Sequence, residues 1–375
     1  MSDLVVRPVA SRGEKKAFLE FPWRLYRDDP HWVPPLRVDQ KEMVGYRPHP
    51  FYRRNAAQTF LAYRSGEVCG RIAAILNRDH NEHYSERRGF FGFFECVDDE
   101  EAAAALFDAV REWFAGHDIL CLRGPTNPSL NYTLGLLVDG FHSPPTFMMT
   151  YNPAYYARLF EAYGFRKTQD LYAYLGQVEM LPRVQARWRP VVEQIIEHYD
   201  VRLRPLDTSR FVEDVEAFLS IYNRSLVNTW GFVPMSADEV RHMARSLRYL
   251  IVPELAVGAE VDGRLVGAAF CLPDYNPRIK AIDGRLLPFG LLRLLRRKDR
   301  IKKVRTISTN VLPEYHRMGL GLALMHGLAP KGIEWGLQEM EFSWILESNP
   351  LSWKSLAKAG TKREKTYRLY DFGDG

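Results

Sequence analysis

Cysteine is scarce and unpatterned. Cys69, Cys96, Cys121 and Cys271 show no CxxC pair and no ligand-like spacing, which argues against a disulfide framework or a zinc knuckle and leaves reduced, cytoplasmic thiols as the expectation. No run of 18 apolar residues occurs, and the opening MSDLVVRPVASRGEKKAF lacks a basic start followed by an apolar core, so neither a membrane span nor a signal peptide is predicted. The phosphate loop GxxxxGK[ST] and the dinucleotide fingerprint GxGxxG are both missing, which takes support from nucleotide hydrolysis and hydride transfer. His80 and His83 lie close together but outside any HExxH spacing, so they read as a polar loop rather than a metal site, and no metal is expected. An excess of charge is lacking too: 51 Lys and Arg against 46 Asp and Glu give a net +5, too little in 375 residues to imply nucleic acid. What remains is 46% apolar and 13% aromatic residues, enough for the cores of two or three domains.

One plan is used twice. Val5-Val6-Arg7-Pro8 before a helical stretch recurs as Arg202-Leu203-Arg204-Pro205 before Phe211–Tyr222. The hairpin signal Gly66-Glu67-Val68-Cys69-Gly70 recurs as Gly263-Arg264-Leu265-Val266-Gly267. Asn152-Pro153, before a helix ending at Gly164, recurs as Asn349-Pro350, before one ending at Gly360. All three share an offset of 197 residues, and three frequent turn signals in one register point to internal duplication. The fold class is therefore α/β: two tandem lobes, each a mixed β-sheet flanked by helices. A connecting helix over Pro182–His198 places the boundary near residue 199, giving lobes 1–199 and 200–375.

Chemistry concentrates in the second half. Val304–Val311 alternates as a strand, Leu312-Pro313-Glu314-Tyr315-His316-Arg317-Met318-Gly319-Leu320-Gly321 breaks it, and a helix follows that Pro330 and Gly332 are expected to end. Glycines at such a turn let backbone N–H groups approach a ligand, and the helix N-terminus adds partial positive charge, which suits a pyrophosphate.

These residues resemble the GNAT (GCN5-related N-acyltransferase) family, whose signature is a strand, Pro-Glu-Tyr, then Arg or Gln-x-x-Gly-x-Gly opening a helix. Here His316 stands where Arg or Gln is usual. A later strand, Glu341–Leu346, followed by Asn349 and a helix ending at Gly360, matches a further family motif. The resemblance implies acyl-CoA as co-substrate, lying in a splay between the two strands and held by Val311, Leu312, His316, Arg317, Met318, Gly319, Gly321 and Asn349. It implies direct transfer to an amine, with the N–H of Leu312 or Val311 polarising the thioester carbonyl. The family's usual acid, a Tyr before the helix-ending Gly, is replaced by Leu356 here and by Phe160 in the first half. Glu347, at the end of the strand facing the splay, is the candidate base, or else a solvated or capping carboxylate. The first half carries Val97-Asp98-Asp99-Glu100-Glu101 where the cradle should be; four carboxylates would repel a pyrophosphate, so it reads as degenerate and only the C-terminal half should bind CoA.

A narrower resemblance, carried by Asp28–Leu36, Gly89–Glu95, Asn223 with Asn228–Pro234, and Ser343–Asn349, is to the two-lobed bacterial group that includes bacterial ceramide synthases. It favours a long-chain or lipidic amine over a small polar one. Asn223, Trp230, Asn127 and Asn131 are candidate acceptor contacts, or turn and core residues. The insertion 273–303 bears on the same choice. Between Arg285 and Arg305 nine basic residues face one Asp299, beside a leucine-rich helix expected to open at Pro288, with Leu291, Leu292, Leu294 and Leu295 as its apolar side. That pattern fits a helix packed on its own protein, an anionic membrane surface reached from the cytoplasm, or nucleic acid, the last least. Three readings follow: acyl-CoA-dependent N-acylation of an amine, preferentially lipidic; N-acetylation of a small polar amine; or non-catalytic acyl-CoA or membrane binding.

Overall fold

The computed structural model describes residues 3–373. The repeat is visible as matching register. Val5–Pro8 pairs antiparallel with Ala56–Arg64 so that Arg7 lies opposite Leu61, and Arg202–Pro205 pairs with Ala256–Val261 so that Arg204 lies opposite Gly258. Both hairpins turn on a left-handed residue followed by a left-handed glycine, Ser65-Gly66 and Asp262-Gly263, the conformation a tight two-residue turn requires. Both then bulge at the same place, between Ala62 and Tyr63 and between Ala259 and Glu260.

The chain divides into two compact units that are not its two halves. The first comprises residues up to 171 with 276–291 and 365 onward; the second comprises 172–275 and 292–364. This division differs from the repeat boundary expected near residue 199, because it cuts through the last strand of each half, Arg166–Gln177 and Lys362–Phe372. From Lys365 onward the strand Lys362–Phe372 belongs to the first unit, where Tyr370 lies opposite Gly124. The connecting helix, Leu181–His198, belongs to the second.

In the first unit the order runs Val5–Pro8, Ala56–Arg64, Glu67–Leu76, Arg88–Cys96, Cys121–Gly124, then the C-terminal strand. Arg88–Cys96 and Cys121–Gly124 run parallel. Helix Glu100–Ala115 covers one face, burying Leu106, Phe107, Val110 and Phe114 against Phe91, Phe94 and Phe160. Helix Arg12–Leu25 places Phe18 in a second cluster with Leu61, Ile75 and Phe90. His80 and His83 sit on a short helix, Arg78–Tyr84, not in a loop. The His80 ring pairs with Glu86 at 2.6 Å, and burial pulls its pKa down to about 4.

In the second unit Arg202–Pro205, Ala256–Val261, Arg264–Pro273 and Lys303–Val311 are successively antiparallel, and Lys303–Val311 runs parallel to Glu339–Leu346. The helix after the cradle runs Leu320–Trp335, past the expected stop at Pro330 and Gly332, and ends at left-handed Gly336. A proline inside a helix strips the carbonyl four residues earlier of its donor; here that carbonyl, on His326, accepts Gln185 Nε2 of the connecting helix at 3.4 Å.

Candidate active site

Two strands that pair and then part make the site. Lys303–Thr306 pair in parallel with Glu339–Phe342, yet both strands run on, to Val311 and Leu346, without further pairing between them. Antiparallel ladders alternate their bonding, which decides where the N–H groups at the splayed end point. Leu312 lies across from Val266 and donates to its carbonyl at 2.8 Å, so its N–H is spent on the sheet and is not the carbonyl-polarising group. Val311, opposite Gly267, falls in the non-bonded position, and its N–H is directed toward the splay.

The chain then makes a short 3-10 turn, Pro313–Met318, and passes through Gly319 at φ +71 into the helix. A β-carbon at Gly319 would meet Ile195 Cδ1 at 2.7 Å, whereas one at Gly321 would have nothing within 4 Å. No side chain caps this helix. The first-turn N–H groups therefore present partial positive charge beside open space, the environment a pyrophosphate needs. The group implied by the cradle fits the residues present. His316, the departure from the family pattern, holds its Nε2 2.8 Å from the Val311 carbonyl and so braces the turn. Arg317 is exposed and Met318 half-buried beside it. A bond from its own backbone N–H, together with the charges of Arg224 at 3.1 Å and Arg264 at 3.4 Å, keeps the Glu314 carboxyl below its usual range.

Glu347 ends the far strand. The Tyr172 hydroxyl donates to its Oε1 at 3.3 Å, and Trp353 Nε1 donates to its backbone carbonyl at 3.2 Å. Tyr172 carries Arg363 over its ring at 4.9 Å. Asn349 caps the next helix, its Oδ1 accepting from Ser352 N at 3.2 Å. Asn223 clamps the backbone of Met235 from both sides, at 2.8 and 3.0 Å, and so fixes the loop that carries half-buried Trp230. These residues belong to the second unit with the cradle. Asn127 and Asn131 belong to the first: Asn127 Oδ1 accepts the Phe93 N–H at 2.6 Å, and Asn131 N donates to Ser129 Oγ at 3.2 Å. Both make local backbone contacts there.

Sequence reasoning missed a polar group inside the sheet. Arg305, counted among the surface cations of the insertion, is buried, donating to Ser343 Oγ at 2.9 Å and lying over Trp344 at 4.8 Å. Ser343 donates in turn to buried Glu341 at 2.8 Å. Ser308 and Asn310, bonded to each other, are buried in the cradle strand, while Thr309 reaches Met325 of the cradle helix at 3.3 Å; alternation therefore puts Ser308 and Asn310 on the sheet face away from that helix. Burial pushes the Tyr222 hydroxyl up to about 12, with the Arg305 charge acting the other way. The hint in the sequence was Arg305, Glu339 and Glu341 within apolar strands. Among the described residues no three His, Cys, Asp or Glu side chains converge as a metal site.

A parting strand pair, an uncapped glycine-flanked helix and a carboxylate at the far strand's end define an acyltransferase of the GNAT class, and this chain belongs to that family. The acetyltransferase (GNAT) family model matches residues 215–360. The chain is 32% identical over 380 residues to the bacterial ceramide synthase of Caulobacter vibrioides, covering 99% of this chain and 97% of that one. It is 31% identical to protein YghO of Escherichia coli strain K12, covering 98% and 95%. Among solved structures, a tandem GNAT protein from the clavulanic acid biosynthesis pathway shares the fold, with a TM-score of 0.56 at 13% identity, covering 99% of this chain and 98% of that one.

Proposed function

We propose that this acyltransferase uses acyl-CoA bound by the second unit to N-acylate an amine, with a long-chain or lipidic amine preferred. The observation that carries the reading is the pairing of an open splay with an uncapped helix N-terminus at Gly321. The first-turn N–H groups hold the pyrophosphate, with Arg317 beside them. Acyl-CoA supplies an activated thioester. The Val311 N–H takes the developing charge on its carbonyl oxygen, the role of an oxyanion donor. The amine forms the new C–N bond as the C–S bond breaks, and its proton goes to Glu347, which Tyr172 positions. A departing thiol with a pKa near ~8.5 needs no strong acid, consistent with Leu356 in place of the usual tyrosine.

The preference for a lipidic amine rests on the likeness to a protein named bacterial ceramide synthase. Long-chain substrates partition into bilayers, which goes with a cytoplasmic enzyme working at the inner membrane face. No helix among the described residues is long and apolar enough to cross a membrane. A second reading, acetylation of a small polar amine, is favoured by Ser308 and Asn310 buried in the cradle strand. Release of free CoA, measured with acetyl-CoA and palmitoyl-CoA against a long-chain and a short polar amine, separates the two. Faster turnover of the long-chain pair is expected; turnover confined to acetyl-CoA with the polar amine would replace the lipidic reading by the second one.

A further inference from the structure

The insertion does not expose the face its sequence pattern suggests. Its helix is short, Gly290–Leu295, and packs inward through Leu294, which is 2% exposed. Leu287, Phe289, Leu291 and Leu292 are instead 83, 67, 46 and 65% exposed. These four fall within six consecutive residues, 287–292, and so many exposed apolar side chains in one short stretch, a tip of the insertion, call for an account that single ones would not.

The tip is held on a built base. Asp283 accepts the Trp23 indole N–H at 2.5 Å and pairs with Arg37 at 2.9 Å, and Arg37 lies over the Trp23 ring at 4.1 Å. Gly284, at φ +68, accepts the Arg37 N–H on its carbonyl at 3.0 Å, and a β-carbon there would run into the Pro35 carbonyl. Gly290 is equally tight against the Arg285 carbonyl. Ile282 is buried beneath. A loop fixed by an ion pair, an indole bond and two sterically required glycines keeps leucine and phenylalanine in water by construction.

Charge specifies what covers it. Arg285, Arg293, Arg296, Arg297, Arg300 and Lys302 are exposed around and directly after the tip, against one acidic residue, Asp299, in 285–303. We propose that this tip inserts into the interfacial layer of an anionic bilayer while the flanking arginines contact lipid phosphates. Modest apolar insertion and a polybasic flank each bind weakly, and together they give reversible, salt-sensitive attachment. The proposal deepens the lipidic-amine reading by naming where its substrates would be met, but docking requires no acyl transfer.

The test is flotation of the full chain with phosphatidylcholine vesicles, with and without about a third phosphatidylglycerol. The parent chain should float with the anionic vesicles at least about tenfold better than with neutral ones, and less in high salt. Leu287→Ser with Phe289→Ser, and separately Arg293→Glu with Arg300→Glu, should each lose that binding while keeping the parent melting temperature and CoA-dependent stabilisation. No flotation of the parent, equal binding to neutral vesicles, or parent-like binding by either double variant would overturn the proposal. Loss of the CoA response in the parent would instead count against the acyl-transfer reading alone.

Discussion

The two units carry the same strand pair and treat it oppositely. In the first, Arg88–Phe90 pair with Cys121–Arg123 before the strands part, as Lys303–Thr306 do with Glu339–Phe342 in the second. Gly70 lies opposite Cys96 where Gly267 lies opposite Val311, so Cys96 is the counterpart of Val311. The Cys96 N–H is taken by the Tyr156 hydroxyl at 2.8 Å, and its carbonyl accepts from Tyr155 at 2.7 Å. Asn127 fills the remaining gap by bonding the Phe93 N–H, and a β-carbon on Gly92 would run into the Thr126 carbonyl. The helix N-terminus is closed as well: Asp99 caps it at Ala102 N, and Asp98 and Glu100 pair with Arg158. The repeat thus leaves the helix start uncapped in the second unit, whereas in the first the helix is capped and the Cys96 N–H is bonded.

The comparison can be broken at its strongest point first. Gly321→Glu places a carboxylate in open space at the helix start and should lower acyl-CoA affinity about 100-fold, the order expected for unfavourable charge at a partly enclosed anion site, with little change in melting temperature; calorimetric titration reads the first and a thermal melt the second. Gly319→Val should cost both, because it forces a left-handed β-branched residue against Ile195. Glu347→Gln should reduce kcat about 100-fold with the acyl-CoA KM nearly unchanged, read by steady-state kinetics. In the first unit, Tyr156→Phe leaves the Cys96 N–H and the Glu95 carboxylate each without a partner's hydroxyl, so stability should fall by about 1–3 kcal/mol in urea titration while turnover stays at the parent level. Tyr172→Phe should have the smallest effect, a few-fold loss in kcat with the acyl-CoA KM unchanged, because the hydroxyl acts through Glu347.

Much of this was legible in the chain. The duplication was, because turns demand particular residues, and Gly66, Gly263, Gly164 and Gly360 all occupy the left-handed region their positions require. The open, glycine-flanked helix start was, because a left-handed entry at Gly319 favours glycine and Gly321 leaves the first turn clear. The four carboxylates of 98–101 foreshadowed the capped helix start of the first unit, where Asp99 bonds Ala102 N and Asp98 and Glu100 pair with Arg158. Tyr156 as its plug was not legible, since a buried tyrosine in a helix reads as core. Nor was Tyr172 as the partner of Glu347, because the two are 175 residues apart in sequence and meet only through tertiary pairing. Arg305 was misread as surface charge because a buried cation bonded across strands has the same local pattern as an exposed one. The insertion's leucines were assigned to a packed side because helical spacing cannot show which side meets protein, and a six-residue helix anchored by Leu294 leaves the others out.

The central claim is that one of two related splays takes the cofactor. The most direct measurement is the stoichiometry of CoA binding to the full chain by isothermal titration calorimetry, repeated on Gly321→Glu. The expected result is one CoA per chain, weakened about 100-fold by the substitution. Two CoA per chain, or one whose affinity survives Gly321→Glu, would place binding in the first unit and contradict the account.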